Sequence, residues 1–367
     1  ATLAPTTTLL EASAGTGKTW TIAALITRYV AEGHVRIDEV LAVTFTNAAT
    51  SELRDRVRSR LADTAAIIDA ALAGSPPERP DDLVAHLLDV GADGEQELAR
   101  RRDRLRVALA TFDTSTIVTI HQFCQLVLRG LGIAGDTDPR ARLVEDLSDL
   151  RKEVVDDLWL RDHAGDTRLS HDDAGVIARA IVSNPGARLA PETPEPGSAD
   201  DVRVRFARSV ATEFEHRKRR LGVLSFDDLL VQLRDVLVDA DAVAGQRMRA
   251  RWRVVLIDEF QDTDPVQWEV FERAFHGHAV LVLIGDPKQA IYAFRGGDVF
   301  TYLKAAAIAD TRQTLTTNQR SDHALVASVH KVLNHAQLGD PLIAVHPIDA
   351  ARAPGDDHVR TGPPGEQ

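Results

Sequence analysis

Ala12-Ser13-Ala14-Gly15-Thr16-Gly17-Lys18-Thr19 is the stretch that decides the fold. In a loop of this composition, backbone N–H groups near Gly15 and Gly17 can close around phosphate oxygens. A helix that follows points its positive N-terminal end at the same anion. Lys18 then supplies a point charge for the β- and γ-phosphates, and the Thr19 hydroxyl a ligand for Mg²⁺. The general G-x-x-x-x-G-K-[ST] pattern has glycine where this chain has Ala12. Taken alone, the match also fits a plain glycine turn between strand and helix, so the flanks matter. Residues 8–11 read as a short buried strand, and residues 20–30 carry Ile22, Leu25, Ile26, Tyr29 and Val30 at helical spacing. The loop therefore sits between strand and helix, as its chemistry requires.

A second segment, Val254-Val255-Leu256-Ile257-Asp258-Glu259, is an apolar run ending in two carboxylates. Such a run reads as a fully buried parallel strand that delivers the pair at its C-terminal end, where open α/β sheets bind ligands. Alone it fits an ordinary strand end. Beside the loop, Asp258 becomes the candidate to hold Mg²⁺ through water and Glu259 the candidate to orient or deprotonate an attacking water. A third strand, residues 280–284, runs into Gly285-Asp286-Pro287-Lys288-Gln289-Ala290-Ile291-Tyr292-Ala293-Phe294-Arg295-Gly296-Gly297.

With Asp258-Glu259-Phe260-Gln261-Asp262-Thr263-Asp264 upstream, the chain resembles a superfamily 1 DNA helicase of the UvrD/RecB group. Its phrases are similar to the RecB branch, the beta subunits of exodeoxyribonuclease V, more than to the UvrD branch. The resemblance spans nearly the whole chain. It implies that residues 12–19, from Ala12, Ser13, Ala14, Gly15, Thr16 and Gly17 to Lys18 and Thr19, bind ATP with Mg²⁺. It also implies that Gln289 senses the γ-phosphate and links it to a DNA groove, with Arg295 in the same network. Tyr292 and Phe294 would offer ring faces to bases, since stacking is worth roughly 1–3 kcal/mol per base and tolerates any sequence. As residues alone, those two rings fit a core as well.

Residues 41–49 read as a strand running into a long helix. The resemblance puts Phe45 against a base and Thr46 and Asn47 against the DNA backbone, while Asn47 is equally a helix N-cap candidate. Thr119-Ile120-His121-Gln122-Phe123-Cys124 matches a further DNA-contacting motif, with Thr119 and His121 as the contacts. His121 has no partner at H-E-x-x-H or Cys-x-x-Cys spacing, so a backbone contact and a core histidine both remain open. Cys124, the single cysteine, reads as a small buried hydrophobe and excludes an intrachain disulfide framework. In Leu315-Thr316-Thr317-Asn318-Gln319-Arg320-Ser321, Arg320 would reach the γ-phosphate from across a cleft. The relatives place a ring for adenine just before that arginine, and this chain has Gln319.

The 367 residues are 44% hydrophobic and 27% charged, ordinary for a globular enzyme of two or more domains. No apolar run has the length of a membrane span and no signal peptide is recognisable, so the expected location is the cytoplasm. The net charge of −12 leaves DNA binding to local fields and stacking. Two basic runs, at residues 100–106 and 217–220, read either as phosphate tracks or as solvated helix faces.

The expected fold is α/β, a RecA-like P-loop NTPase sheet with helices on both faces, built from residues 1–134 and 222–310. Residues 135–221, with helical segments around 147–160 and 202–221 and a Pro/Gly-rich stretch at 185–197, read as an inserted helical subdomain. Residues 311–367 read as the beginning of a second, incomplete motor lobe, the whole being the N-terminal part of a larger protein. The expected activity is ATP-dependent 3′ to 5′ movement on DNA in a helicase-nuclease. Single-stranded DNA, duplex ends and RecC- and RecD-like subunits are its implied partners. Alternatives are an AddA-like or stand-alone UvrD-like helicase, or a nucleotide-switched DNA-binding module without turnover.

Overall fold

A computed structural model describes residues 3–90, 94–131, 142–144, 146–183, 188–239, 242–290, 298–333 and 335–353. The chain forms two compact units, residues 1–127 with 234–367, and residues 128–233.

The first unit is organised by six strands: β1 (Thr6–Ala12), β2 (Val40–Thr44), β3 (Thr116–Thr119), β6 (Val254–Ile257), β7 (Val280–Gly285) and β8 (Thr311–Leu315). They lie in the order β3-β2-β6-β7-β1-β8, and every pairing is parallel. β2, β6 and β7 are buried at every position, the signature of strands covered on both faces. Alternation divides their side chains between the two sides of the sheet. Leu10, Ala12, Ala42, Leu256, Val282 and Ile284 share one core with Ile22, Ile26, Leu53, Leu61 and Leu105. Those last five come from α1 (Lys18–Ala31), α2 (Asn47–Leu72) and α4 (Gly94–Ala110). α3 (Asp82–Leu88) adds Leu83 and Leu87 to the same core.

Leu9, Val43, Val255, Ile257, Leu281 and Leu283 point the other way and are also buried. That side of the unit holds the apolar faces of α5 (Ile120–Leu131), α11 (Pro265–Phe275) and α12 (Val299–Ile308). Phe123 stacks on Phe271 at 5.3 Å and tilts at 5.6 Å against Trp252, the residue that follows α10 (Val243–Arg251). Cys124 is fully buried and burial pushes its thiol pKa up, as a small core hydrophobe should. The parallel sheet with helices on both faces is the one the motifs imply. It continues past residue 310, because β8 pairs with β1 from Thr311 to Leu315. Beyond it, β9 (Thr317–Asn318) pairs with β10 (Asp349–Ala350) around α13 (His323–Leu333).

The second unit is helical, with α6 (Ser148–Asp162), α7 (His171–Ser183) and α8 (Ala199–Leu221) around Val154, Leu158, Ala178, Phe206 and Val210. β4 (Arg142–Leu143) and β5 (Val223–Leu224) close it as a two-strand parallel pair, and α9 (Phe226–Val236) leads away. α7 is a helix that the sequence pattern hides. Its Asp-rich start and Gly175 mask a stripe whose buried members are only Ala174 and Ala178.

Most of the two basic runs is committed to intramolecular partners. Arg101 and Arg104 donate to the carbonyls of Leu87 and Ala31, satisfying the last turns of α3 and α1, and Arg106 pairs with Asp69 at 2.7 Å. In the second unit Lys218 is 3% exposed and bridges Glu215 and Asp228, each at 2.6 Å, while Arg217 pairs with Asp157.

Candidate functional site

Because all six strands are parallel, their C-terminal ends form one edge, and the motif residues collect there. The loop after β1 bends through Gly15 at φ 79° and Gly17 at φ 90°, both left-handed values that disfavour a side chain. Gly17 is the N-cap of α1, without a side-chain capping bond and with no acidic residue in the first turn. The orphan N–H groups and the positive helix end thus have no protein anion of their own in that turn, which suits a phosphate. Thr16 folds back on the Ser13 carbonyl through both its N–H and its hydroxyl, which sets the loop's curvature.

Lys18, the first helical residue, donates to Glu259 Oε2 at 2.6 Å. Asp258 and Glu259 follow β6 directly, and Glu259 sits at φ 49°, an uncommon value for a side-chain-bearing residue and one that stores strain. A short 3₁₀ turn at Phe260–Asp262 begins there. Asp258 is 8% exposed; burial first, and then the neighbouring Glu259 charge, push its carboxyl up to about 6.

The site continues through Gln261, Asp286, Lys288 and Glu11, to which sequence reasoning gives no role, and reaches the expected Gln289. Gln261 donates Nε2 to Glu259 Oε2 at 2.8 Å, and its Oε1 accepts from the Asp286 N–H at 2.9 Å. Asp286 in turn accepts from Gln289 Nε2 at 2.8 Å and from Lys288 Nζ at 2.7 Å, and Lys288 also reaches Glu11. Burial works to lower the Lys288 pKa, but the hydrogen bonds and charges of Asp286 and Glu11 outweigh it, and the net direction is up. The connected group sets four carboxylates, Glu11, Asp258, Glu259 and Asp286, against two ammonium groups, Lys18 and Lys288. The uncompensated negative charge beside Asp258 is what a divalent cation would relieve. Among the described residues no three His, Cys, Asp or Glu side chains converge as a preformed cage. Mg²⁺ suits such a place, since it takes one or two carboxylates and completes its shell with phosphate and water.

Arg320 belongs to the same compact unit as the loop. Asn318 donates to the Ala14 carbonyl at 3.1 Å and accepts from the N–H groups of Arg320 and Ser321, while the Gln319 N–H donates to Gly15 O at 2.8 Å. A Cβ at Gly15 would stand 2.9 Å from the Asn318 amide, so that glycine serves the docking as well as the turn. Gln319 and Arg320 are exposed. An exposed ring does stand by the loop: Trp20, 44% exposed, carries the Arg60 guanidinium over it at 5.0 Å, and Arg60 is fixed by a two-pronged bond to Asp81.

At the other end of the edge, β2 and β3 bring Phe45, Thr46, Asn47, Thr119 and His121 together, with Thr44 opposite Thr119 in the register. The N-cap of α2 is Thr46, accepting from Ala49 N–H at 3.1 Å, and not Asn47, which is the first helical residue. Asn47 instead accepts from Gln122 Nε2 at 3.4 Å. Thr119 and Gln122 cap α5 reciprocally. Phe45 and His121 are half-buried. Tyr292, Phe294 and Arg295 lie outside the described residues. No described helix is long and apolar enough to cross a membrane.

Residues 1–309 match the UvrD/REP helicase N-terminal domain. Among curated proteins, the chain is 54% identical over 349 residues to the RecBCD enzyme subunit RecB of Mycolicibacterium smegmatis, covering 94% of this chain and 31% of that protein. It is 52% identical over 351 residues to the same subunit of Mycobacterium tuberculosis, covering 95% and 31%. With the subunit of Escherichia coli it shares 30% over 453 aligned positions, covering 89% and 38%. The chain thus spans about a third of the length of the two mycobacterial relatives.

Proposed function

Starting from the premise that this chain belongs to the UvrD/REP helicase family, we propose that it is the ATP-hydrolysing motor portion of a RecBCD-like helicase-nuclease acting on DNA ends in repair and recombination. The observation that carries the reading is the continuous polar link from Lys18 through Glu259 and Gln261 to Asp286 and Gln289. Residues far apart in the chain are brought to one strand edge, beside a helix terminus built to receive an anion.

In this reading the loop N–H groups, with Lys18, hold the triphosphate. Thr19 and Asp258 hold Mg²⁺, which when bound neutralises charge on phosphate oxygens. Lys18 leaves Glu259 for phosphate, and the freed carboxylate orients or deprotonates water. Gln289, hydrogen-bonded to Asp286, reports the γ-phosphate position toward residues 290–297, while Arg320, docked through Asn318, adds positive charge to the phosphate side. Phe45, Thr46, Asn47, Thr119 and His121 take the DNA strand, with Tyr292, Phe294 and Arg295 as further contacts. Residues 1–134 and 222–310, with β8 added at the edge of their sheet, serve as the first motor lobe, 135–221 as its inserted helical subdomain, and the chain after β8 leads toward the second lobe. RecC- and RecD-like subunits are its partners, in the cytoplasm.

The test is nucleotide binding and DNA-stimulated ATP hydrolysis for the native chain beside Lys18→Ala and Glu259→Gln. The reading expects lost binding in the first, and retained binding with lost hydrolysis in the second. Undiminished ATP binding by Lys18→Ala would overturn it.

A further inference from the structure

The Glu259 carboxylate accepts two hydrogen bonds on one oxygen, from Lys18 and from Gln261. Lys18 is the partner that phosphate would draw away. What remains is Gln261, and its placement is unusually determined. The side chain belongs to a 2% exposed residue in the 3₁₀ turn after Glu259, and both ends of its amide are used. Nε2 holds the carboxylate at 2.8 Å and Oε1 takes the Asp286 N–H at 2.9 Å. The carbonyl end is seated against bare backbone: a Cβ at Gly285 would stand 2.6 Å from Gln261 Oε1 and 3.1 Å from the backbone nitrogens of Gln261 and Phe260. Gly285 has no left-handed φ to explain it, so its lack of a side chain is what admits Gln261.

We infer that Gln261 is a positioning residue that holds the Glu259 carboxylate in its water-facing place once Lys18 has moved to phosphate, and ties that place to the Asp286–Gln289 turn. The inference rests on the nucleotide-hydrolysing reading above. An amide suits this position where a charged or apolar side chain would not. It donates to the carboxylate without neutralising it, and it accepts from backbone at its other end, so Glu259 and the start of the turn at 286–289 move as one. Without it, Glu259 would keep its charge and its strained backbone but lose the donor that aims it.

The experiment compares the native chain with Gln261→Met, Gln261→Asn and Gly285→Ala, with Lys18→Ala as the control for the site itself. Fluorescent ATP-analogue binding is measured alongside single-turnover ATP hydrolysis with protein in excess, so that a slow enzyme is still readable. Gln261→Met is expected to change the Kd less than about threefold and to slow the bound-state hydrolysis by about 10²-fold, the scale of a small misplacement of a catalytic group. Gly285→Ala, which displaces the same amide, should reproduce that split. Gln261→Asn keeps an amide of shorter reach in the core and should give an intermediate rate. It also keeps the inference testable if the other two fail to fold, which thermal melting reports. Lys18→Ala must lose binding. If it does not, the nucleotide reading falls with the inference. If Lys18→Ala loses binding while folded Gln261 variants hydrolyse at the native rate, or lose binding and hydrolysis in equal measure, only the role of Gln261 is overturned.

Discussion

The two ends of the strand edge use opposite materials. Around β1, β6 and β7 the side chains are charged, buried or half-buried, and linked, with Lys18 paired to Glu259, Gln261 bridging Glu259 to Asp286, and Lys288 joining Asp286 to Glu11. Around β2 and β3 they are neutral, and most already serve the local architecture. Thr46 caps α2, Thr119 and Gln122 cap α5, and Thr44 bonds Thr50 at 2.6 Å. A buried charge demands a partner or a ligand, because an isolated ion is expensive to desolvate. A threonine at a helix start needs no ligand to justify it. The first end therefore argues for chemistry by itself, while the second is complete as architecture and carries DNA binding only as an addition.

The sharpest way to break this contrast is to remove charge from the first end. Lys18→Ala should weaken nucleotide binding by about 1.5–3 kcal/mol, the scale of one hydrogen bond to a charged group. Glu259→Gln should keep affinity and lower turnover by about 10²- to 10⁴-fold. Equal loss of binding in both would mean that the ion pair is structural.

Asp258 tests whether the site is held at the expense of stability. Its carboxyl is raised from an unfolded value near 3.8 to about 6. A raised folded pKa means that stability is fully present below the unfolded value and is lost as pH rises through the folded one. At pH 7.5 the charge should thus weaken the fold by about 3 kcal/mol, and at pH 5 by roughly half of that. Asp258→Asn should raise the melting temperature without nucleotide, more at pH 7.5 than at pH 5. Calorimetry at the two pH values reads this directly, and a variant that is less stable at both would refute the uncompensated charge.

What is legible in the sequence follows the same division. Lys18 and Glu259 can be read because their spacing to glycines and strand ends is tied to their chemistry, whereas Gln289 is singled out only by the family resemblance of the motif around it. Most of the sheet is visible as β-branched, apolar runs. Gln261 and Asn318 stand inside recognisable motifs yet show no role there, since what they touch, the Asp286 N–H and the Ala14 carbonyl, comes from elsewhere in the chain. Asn47 is a plausible cap by residue type, but Thr46 has the extended φ of −134° that a cap needs, and sequence alone does not set that angle. β8 joins the sheet although four of its five residues are exposed, so no apolar run announces it.

At the neutral end, Phe45 and Thr46 should come apart under mutation. Phe45→Ala should weaken binding to mixed-sequence single-stranded DNA by roughly 1–3 kcal/mol. Thr46→Ala should cost about 1 kcal/mol of fold stability through the lost cap, with or without DNA. Fluorescence anisotropy and thermal melts separate the two. A silent Phe45→Ala would remove base stacking from this corner.

Nucleobase contact is a finer question at the charged end, because Gln319 brings no ring to the loop on which its backbone is docked. Gln319→Trp should tighten ATP by at most roughly 1–3 kcal/mol, and tighten inorganic triphosphate much less. Trp20→Ala in the native background should weaken ATP selectively if that exposed indole already meets the base. Titration of both ligands against both variants decides. Unchanged ATP affinity in the two would put the base elsewhere.

The smallest effect should come from the feature that looks most like a DNA site in a linear reading, the arginine run of α4. Arg100 and Arg106 are about half exposed, and each already has an acidic partner, Glu97 at 3.5 Å and Asp69 at 2.7 Å. Exposed pairs of this kind are worth about 0–1 kcal/mol each, so replacing both arginines with glutamine should shift stability by no more than about 2 kcal/mol. Arg101 and Arg104 differ, because their guanidinium groups hold the Leu87 and Ala31 carbonyls at helix ends, and they are left intact in the test. If the run tracked phosphates, each lost contact would reduce the slope of log affinity against log salt by about 0.7 for a single strand. The double variant should instead show the native slope. A slope reduced by more than about one, the loss of both contacts, would move the DNA path onto α4 and reverse the comparison, making bulk charge, and not the corner of β2 and β3, the strand-binding surface.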